Sequence, residues 1–190
     1  MEGAAHYDHQ RINEAIRYAT NCHAGQCRKG SDRPYILHPL EVCCLLNEMG
    51  ADCDLLIAGL LHDTLEDTSA TREAVEARFG PGVTALVCAH TEDKSKSWEE
   101  RKSRVIRETA RGDRRLKLLL LADKLSNLRS VERDRRVVGE AIWDRFHAPR
   151  ERQQWYYGGM VEALRSLETD PWASGAFREL EALYHTVFRA

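Results

Sequence analysis

Polar side chains follow a wholly apolar stretch in the segment Leu60–Thr68, which reads LLHDTLEDT. If this segment is helical, His62 lies one turn before Glu66, and Asp63 lies one turn before Asp67. An imidazole and three carboxylates this close together would repel one another and lose solvation unless a cation compensated them. A divalent metal ion would do so. The alternative is an exposed acidic helix end with His62 packed on its rim.

A histidine earlier in the chain could join this segment. His38 directly precedes Pro39, and proline suits the first turn of a helix. The ring of His38 therefore lies at a helix entrance, where a rigid turn could aim it. A histidine in this position is more often structural, so His38 becomes a candidate metal ligand only together with His62 and Asp63.

The apolar pattern recurs at Leu116–Ala122 and again ends in a carboxylate, Asp123. Asn127 follows one turn later on the same helix face. A salt bridge from Asp123 to Lys124 or Arg129 would account for this charge without a metal. Taken together, the candidate ligands offer two imidazoles and two carboxylates, a set that suits Mn²⁺, Fe²⁺ or Zn²⁺. These ligands are His38, His62, Asp63 and Asp123.

Other residues could carry the chemistry around such an ion. Glu66 and Asp67, one turn beyond the ligands, could orient a water molecule, take its proton or protonate a leaving oxygen. Arg28 and Lys29 lie in a polar loop between residues 23 and 34, where cations could bind phosphate. The alternative for this loop is a solvated connection.

Helical periodicity runs through nearly the whole chain, and no convincing alternating strand is present. The pattern predicts a first helix at about 8–22, two buried central helices and a final helix from Ala173 to about Phe188. Local signals support the boundaries: Thr71 is a candidate N-cap, and Ser97 with Glu100 forms a candidate capping box. We therefore expect an all-α bundle, and we expect residues 1–190 to form a single domain.

Composition narrows the functional classes. The formal net charge of −2 and an isoelectric point near 6.5 give no general signal for binding nucleic acid or an anionic membrane. The longest apolar run is too short to span a bilayer. Residues 1–6 lack the features of a signal peptide, so a cytoplasmic location is expected. The six cysteines contain no C-x-x-C pair, and we expect reduced, buried thiols.

Five motifs in this order resemble the hydrolase domain of the RelA/SpoT family, within the HD-domain superfamily of metal-dependent phosphohydrolases. The stand-alone small alarmone hydrolases of the Mesh type are the most similar group, and the resemblance covers about residues 6–165. The motifs are Arg28-Lys29, Pro34–Pro39, Leu61–Thr68, Thr91–Lys94 and Leu121–Arg129.

The resemblance implies an all-helical HD-domain bundle with a buried metal site. It implies Mn²⁺-dependent removal of the 3′-pyrophosphate from guanosine tetra- or pentaphosphate (ppGpp or pppGpp), a small-molecule nucleotide substrate. His38, His62, Asp63 and Asp123 match metal ligands, and Glu66 and Asp67 match the acidic catalytic pair. Arg28 and Asn127 match substrate-contacting positions, and Lys29 and Lys94 would help to neutralise the pyrophosphate.

The sequence leaves two other functions open. The same site could serve a metal-dependent phosphatase that acts on another nucleotide with a 2′- or 3′-phosphate, such as NADPH. A catalytically inactive domain that only binds a nucleotide is the non-enzymatic alternative, although the complete Glu66-Asp67 pair argues against it. The preference between tetra- and pentaphosphate and the oligomeric state are also left open.

Overall fold

A computed structural model describes residues 7–188. The expectation of a cytoplasmic location is based on residues 1–6, which lie outside this range. The two ends of the predicted single domain at 1–190 also lie outside it. The described chain is helical without a β-strand; one isolated bridge joins Cys27 and Pro34. This confirms the predicted all-α class. Within 7–188, no helix has the length and hydropathy needed to cross a membrane.

The helices group into two compact units, one ending at Thr91 and the other beginning at Glu92. The single-domain expectation stays a prediction. The first unit contains six α-helices within its described residues. They are α1 (His9–Cys22), α2 (Leu37–Glu48), α3 (Cys53–Leu61), α4 (Thr64–Asp67), α5 (Arg72–Phe79) and α6 (Pro81–His90).

Helix α3 is the centre of the first unit. Every residue from Leu55 to Leu61 is buried, and α3 packs against α1, α2 and α6. Gly59 allows a close approach of α3 to α2, because a Cβ atom there would collide with the side chain of Leu46 on α2. The small residue thus brings together the two helices whose ends carry His38 and His62.

Local capping signals set most of the boundaries in this unit. The Asp8 side chain accepts hydrogen bonds from two backbone N–H groups at the start of α1, and Thr71 caps α5 through Ala74 N. Gly80, with φ +85°, separates α5 from α6, and Pro81 opens α6. These boundaries confirm the sequence predictions.

The predicted continuous helix through His62 and Glu66 is wrong. Helix α3 ends at Leu61, and α4 begins at Thr64 after a two-residue turn. Side chains take the carbonyls that a continuous helix would use: His62 Nδ1 lies 2.7 Å from Gly59 O, and Thr64 Oγ1 donates to Leu61 O at 2.7 Å. Such side-chain bonds compete with the helical ladder.

The second unit consists of four α-helices and two short 3₁₀ segments within its described residues. The α-helices are α7 (Trp98–Arg111), α8 (Arg114–Val138), α9 (Arg150–Ala163) and α10 (Ser174–Phe188), and the 3₁₀ segments are Gly139–Arg145 and Arg165–Leu167. Helix α8 packs mainly against α10, and α7 packs against α9. The predicted capping box of Ser97 and Glu100 is present at the start of α7.

The six cysteines are all free thiols, as predicted. Their predicted burial is wrong, because Cys27 and Cys44 are exposed and the other four are partly exposed. Helix α2 shows the reason: Val42, Leu45 and Leu46 form its buried face, and the helical period places Cys44 on the opposite side.

An ion pair closes the loop before α10. Arg114 Nε donates to Asp170 Oδ2 at 2.6 Å, and Asp170 Oδ1 accepts from the backbone N–H groups of Trp172 and Ala173, each at 3.0 Å. The Arg114 hydrogen bond and these backbone donors lower the pKa of Asp170 from 3.8 to about 2. The folded state therefore favours the ionised carboxylate.

Replacing this carboxylate should destabilise the protein in a pH-dependent way. We expect Asp170→Asn to lower the free energy of unfolding at pH 7 by about 1–2 kcal/mol, a range that allows for the solvent screening of Arg114. A depressed pKa stabilises above the unfolded value, so the difference should shrink as the pH falls below about 4. Denaturant titrations measure this, with Asp144→Asn as an exposed control. A difference that is constant across pH would contradict the assignment.

Candidate metal centre

Three of the predicted ligands meet in the first unit. His38 Nε2 and His62 Nε2 lie 3.2 Å apart, and Asp63 Oδ2 lies 2.8 Å from His62 Nε2 and 3.6 Å from His38 Nε2. All three residues are buried, with His62 fully inaccessible. The structure therefore brings together His38, His62 and Asp63, as the sequence predicted.

The tautomer of His62 follows from its backbone contact. Gly59 O can only accept a hydrogen bond, so the neutral His62 ring carries its proton on Nδ1 and presents a bare lone pair at Nε2. That lone pair faces the carboxylate of Asp63 and the ring of His38. A buried group of electron-pair donors directed at one another calls for a cation.

The donor spacing fits a metal ion. Nitrogen and oxygen ligands lie about 2.0–2.2 Å from Zn²⁺, so neighbouring donors around such an ion are separated by about 3–3.5 Å. The distances among His38, His62 and Asp63 fall close to this range. Two imidazoles and a carboxylate are also a donor set typical of first-row divalent metals.

The carboxylate of Asp63 is held in its charged form. Burial raises the pKa of Asp63, but the imidazoles of His62, His38 and His90 lower it by a larger amount when they carry positive charge, and the net effect is a pKa well below the usual range. Tyr35 Oη also donates a hydrogen bond to Asp63 Oδ2 at 2.7 Å. Burial, followed by the charge of Asp63, raises the pKa of Tyr35, so the phenol stays a donor.

Sequence reasoning missed two residues at this centre, Tyr35 and His90. Tyr35 occurs in a quoted motif, but its hydrogen bond to Asp63 spans 28 residues of sequence. His90 ends α6, and its ring lies edge-on to His62 with centroids 4.8 Å apart. Its position on the apolar face of α6, three residues after Val87, is the signal that could have indicated burial.

The acidic pair follows the centre directly. Glu66 is half-buried and Asp67 is exposed, both in the short helix α4. Backbone bonds hold this turn: Asp67 N donates to Asp63 O at 2.9 Å, and Asp67 O accepts from Gln26 Nε2 at 2.9 Å. The acidic pair is therefore fixed to Asp63 on one side and to the cation-rich loop on the other.

The cation-rich loop is a closed turn. Arg28 N donates to Arg33 O at 2.9 Å, and Tyr35 N donates to Gln26 O at 2.8 Å. The Arg28 guanidinium lies 5.6 Å from the centroid of the Tyr35 ring, a cation–π distance. Arg28 is half-buried and Lys29 is exposed.

The remaining predicted site residues lie in the second unit. Asp123 is buried in α8, where Lys124 Nζ donates to its Oδ2 and Asn127 Nδ2 donates to its Oδ1, each at 2.5 Å. The predicted alternative of an ion pair with Lys124 is thus present, so Asp123 is compensated within its own unit. Lys94 is exposed in a turn before α7.

A buried acidic residue fixes the start of that turn. Glu92 accepts hydrogen bonds from Arg101 at 2.9 Å and from Lys102 at 2.5 Å. Burial opposes ionisation of Glu92, but Lys102, Lys124 and Arg101 lower its pKa overall. Within the motif 91–94, Glu92 is thus bound to Arg101 and Lys102 of α7, and Lys94 follows it by two residues.

The chain is similar to known proteins along most of its length. The HD domain family matches residues 15–151. "Guanosine-3′,5′-bis(diphosphate) 3′-pyrophosphohydrolase MESH1" of Drosophila melanogaster is 41% identical over 131 residues, which are 67% of this chain and 73% of that protein. The protein of the same name from Xenopus tropicalis is 42% identical over 125 residues, 64% of this chain and 70% of that protein.

A solved structure adds to these relatives. A structure described as a metazoan ortholog of SpoT that hydrolyzes ppGpp and plays a role in starvation responses superimposes with a TM-score of 0.77 at 33% sequence identity. The superposition covers 96% of this chain and 98% of the chain in that structure. These similarities confirm the resemblance indicated by the five motifs. The chain therefore belongs to the HD-domain family and, within it, to the MESH1 group.

Proposed function

We propose that this protein is a metal-dependent phosphohydrolase that removes the 3′-pyrophosphate from guanosine 3′,5′-bis(diphosphate) and its pentaphosphate counterpart. The products are GDP or GTP and pyrophosphate. The observation that supports this proposal most is the buried convergence of His38, His62 and Asp63 in a member of the MESH1 group.

The proposed metal ligands are His38, His62, Asp63 and Asp123, and the proposed ion is Mn²⁺, with Fe²⁺ and Zn²⁺ as alternatives. Lys124 and Asn127 hold both oxygens of Asp123, which supports a fixed orientation for that carboxylate. When bound, a divalent ion would lower the pKa of a water ligand and polarise a phosphoryl oxygen.

The protein side chains would manage the protons of the reaction. Water adds to the phosphorus attached to the ribose 3′ oxygen, and the bond between that phosphorus and the 3′ oxygen breaks. One member of the Glu66-Asp67 pair takes the proton of the water, and the other protonates the departing 3′ oxygen. Neighbouring carboxylates can share these two roles, so we assign the roles to the pair and not to either residue alone.

Cations would bind the pyrophosphate. Arg28 is the leading candidate. Its guanidinium lies over the ring of Tyr35, and the hydroxyl of the same tyrosine donates a hydrogen bond to Asp63. Arginine also presents several donors to phosphate oxygens in a fixed geometry. Lys29 and Lys94, both exposed, and Asn127 are proposed as further substrate contacts.

A product assay tests the proposed function. Purified protein is incubated with Mn²⁺ and equal concentrations of guanosine 3′,5′-bis(diphosphate) or NADPH, and pyrophosphate and phosphate release are measured. We expect a higher kcat/KM for the guanosine alarmone. A kcat/KM for NADPH equal to or above it would overturn the substrate assignment, and no turnover of either would favour a nucleotide-binding role.

Removal of a ligand should abolish metal retention. We expect His62→Ala and Asp63→Ala each to lose bound divalent metal, because each removes a donor and leaves buried groups without compensation. Metal content after dialysis and a titration isotherm measure this. His23→Ala, which removes a buried histidine outside the cluster, is the matched control. An isotherm unchanged by either ligand substitution would contradict the proposed site.

Glu66 should serve chemistry rather than metal binding. We expect Glu66→Gln to keep the fold and the metal but to lose at least ~10²-fold in kcat, the usual scale for a general acid–base group. Steady-state kinetics and metal analysis measure this together, with exposed Glu73→Gln as the control. Loss of metal would identify Glu66 as a ligand, and normal turnover would remove it from the mechanism.

Arg28 should act on the substrate. We expect Arg28→Ala to raise KM if its contact is equally strong in the ground and transition states, and to lower kcat if the contact strengthens as charge develops. Arg28→Lys keeps the charge and should recover part of the loss. Arg33→Ala, in the same loop but exposed, is the matched control. Wild-type kinetics for Arg28→Ala would exclude a substrate contact.

A further inference from the structure

His90 is the one residue of the buried imidazole cluster that the mechanism does not use. It is 9% exposed, and it lies at the last position of α6. Val83 and Val87 pack α6 into the same core as Leu60 and Leu61 of α3. His90 follows Val87 by three residues, so the same apolar face carries its ring toward the end of α3.

The ring of His90 meets the metal cluster directly. Its plane stands at 86° to that of His62, with centroids 4.8 Å apart. His62, Asp63 and His90 each offer one potential ligand atom. These three atoms lie within 4.8 Å of one another, close enough to bind one metal ion together. Three imidazoles therefore surround Asp63, where the sequence predicted two.

A supporting role behind His62 does not account for this arrangement. A ligand histidine is usually oriented by a partner on its other ring nitrogen. For His62 that partner is Gly59 O, and its second nitrogen faces His38 and Asp63. Both nitrogens of His62 thus have neighbours other than His90, so His90 is not the group that orients His62.

We propose that His90 is an additional nitrogen ligand of the divalent-metal site, and that it shifts the selectivity of the site toward Zn²⁺ and Co²⁺ relative to Mn²⁺. Imidazole suits Zn²⁺ and similar ions, whereas carboxylate and water suit Mn²⁺. Adding a third imidazole to His38, His62 and the carboxylates raises the nitrogen share of the donor set. This inference rests on the metal site of the proposed function.

Metal titrations of the metal-stripped protein test the proposal without an activity readout. Zn²⁺, Co²⁺ and Mn²⁺ are titrated separately into the wild type, His90→Leu and His90→Gln. We expect both substitutions to weaken Zn²⁺ and Co²⁺ binding by at least about tenfold and Mn²⁺ binding by less, so the ratio of Zn²⁺ to Mn²⁺ affinity falls. The visible absorption of the Co²⁺-loaded protein should also change, because a nitrogen donor is lost.

His9→Leu is the control, because His9 is an exposed histidine at the start of α1 in the same unit. It should leave the affinity ratio and the Co²⁺ spectrum unchanged. His90→Gln keeps a polar side chain of similar length, so it serves if His90→Leu does not fold. Circular dichroism confirms folding of each variant.

The outcomes separate this inference from the proposed function. Folded His90 variants with an unchanged affinity ratio and an unchanged Co²⁺ spectrum would show that His90 only packs, and would overturn this proposal alone. Failure of the wild type to bind any of the three ions would overturn the metal site and the proposed function with it.

Discussion

The buried carboxylate of Asp63 is the constraint on which the first unit depends. Helix α3 is apolar on every face, so its end lies inside the core and not at the surface. An isolated charge placed there would carry a large desolvation cost. The polar groups around it come from four separate segments: Tyr35 before α2, His38 in α2, His62 in the turn after α3 and His90 at the end of α6.

The need to stabilise the Asp63 carboxylate also links the candidate metal centre to the candidate substrate loop. Tyr35 donates to Asp63 from one end of its side chain, and its ring lies beside the guanidinium of Arg28. Gln26, in the same loop, donates to the backbone oxygen of Asp67. A change in the loop would therefore be felt both at a metal ligand and at the acidic pair. The proposed phosphate-binding loop and the candidate metal ligand Asp63 are thus physically linked through Tyr35.

The second unit treats its buried carboxylate differently. Asp123 lies in the middle of the long helix α8, and its charge is compensated by Lys124 and Asn127 of the same helix. Burial lowers the pKa of Lys124, but Asp123, followed by Tyr156 and Tyr157, raises it to well above its usual range, so the ammonium stays charged. The burial of Tyr156 raises the pKa of that phenol to about 12. Local contacts with Lys124 and Asn127 therefore fix the orientation of this carboxylate.

The sequence by itself determined the helical class, most helix boundaries and the three residues that form the buried cluster, His38, His62 and Asp63. Apolar periodicity and caps such as Thr71 and Ser97 act over a few residues, so they can be read directly. His38, His62 and Asp63 were predictable because each stands next to a local signal, a proline or a buried helix. The MESH1-group motifs are likewise contiguous stretches of sequence.

Only the tertiary structure decided how those pieces complete one another. The helix break at His62 arises because Thr64 and His62 find backbone carbonyls, a competition that periodicity does not reveal. The contacts of Tyr35 with Asp63 and of His90 with His62 join residues 28 positions apart in the chain. The buried face of α6 sets the approach of His90, whereas Tyr35 and Asp63 meet from the turns before α2 and after α3. Which cysteines are exposed was decided by packing as well, because α2 offers only one face to the core and Cys44 lies on the other.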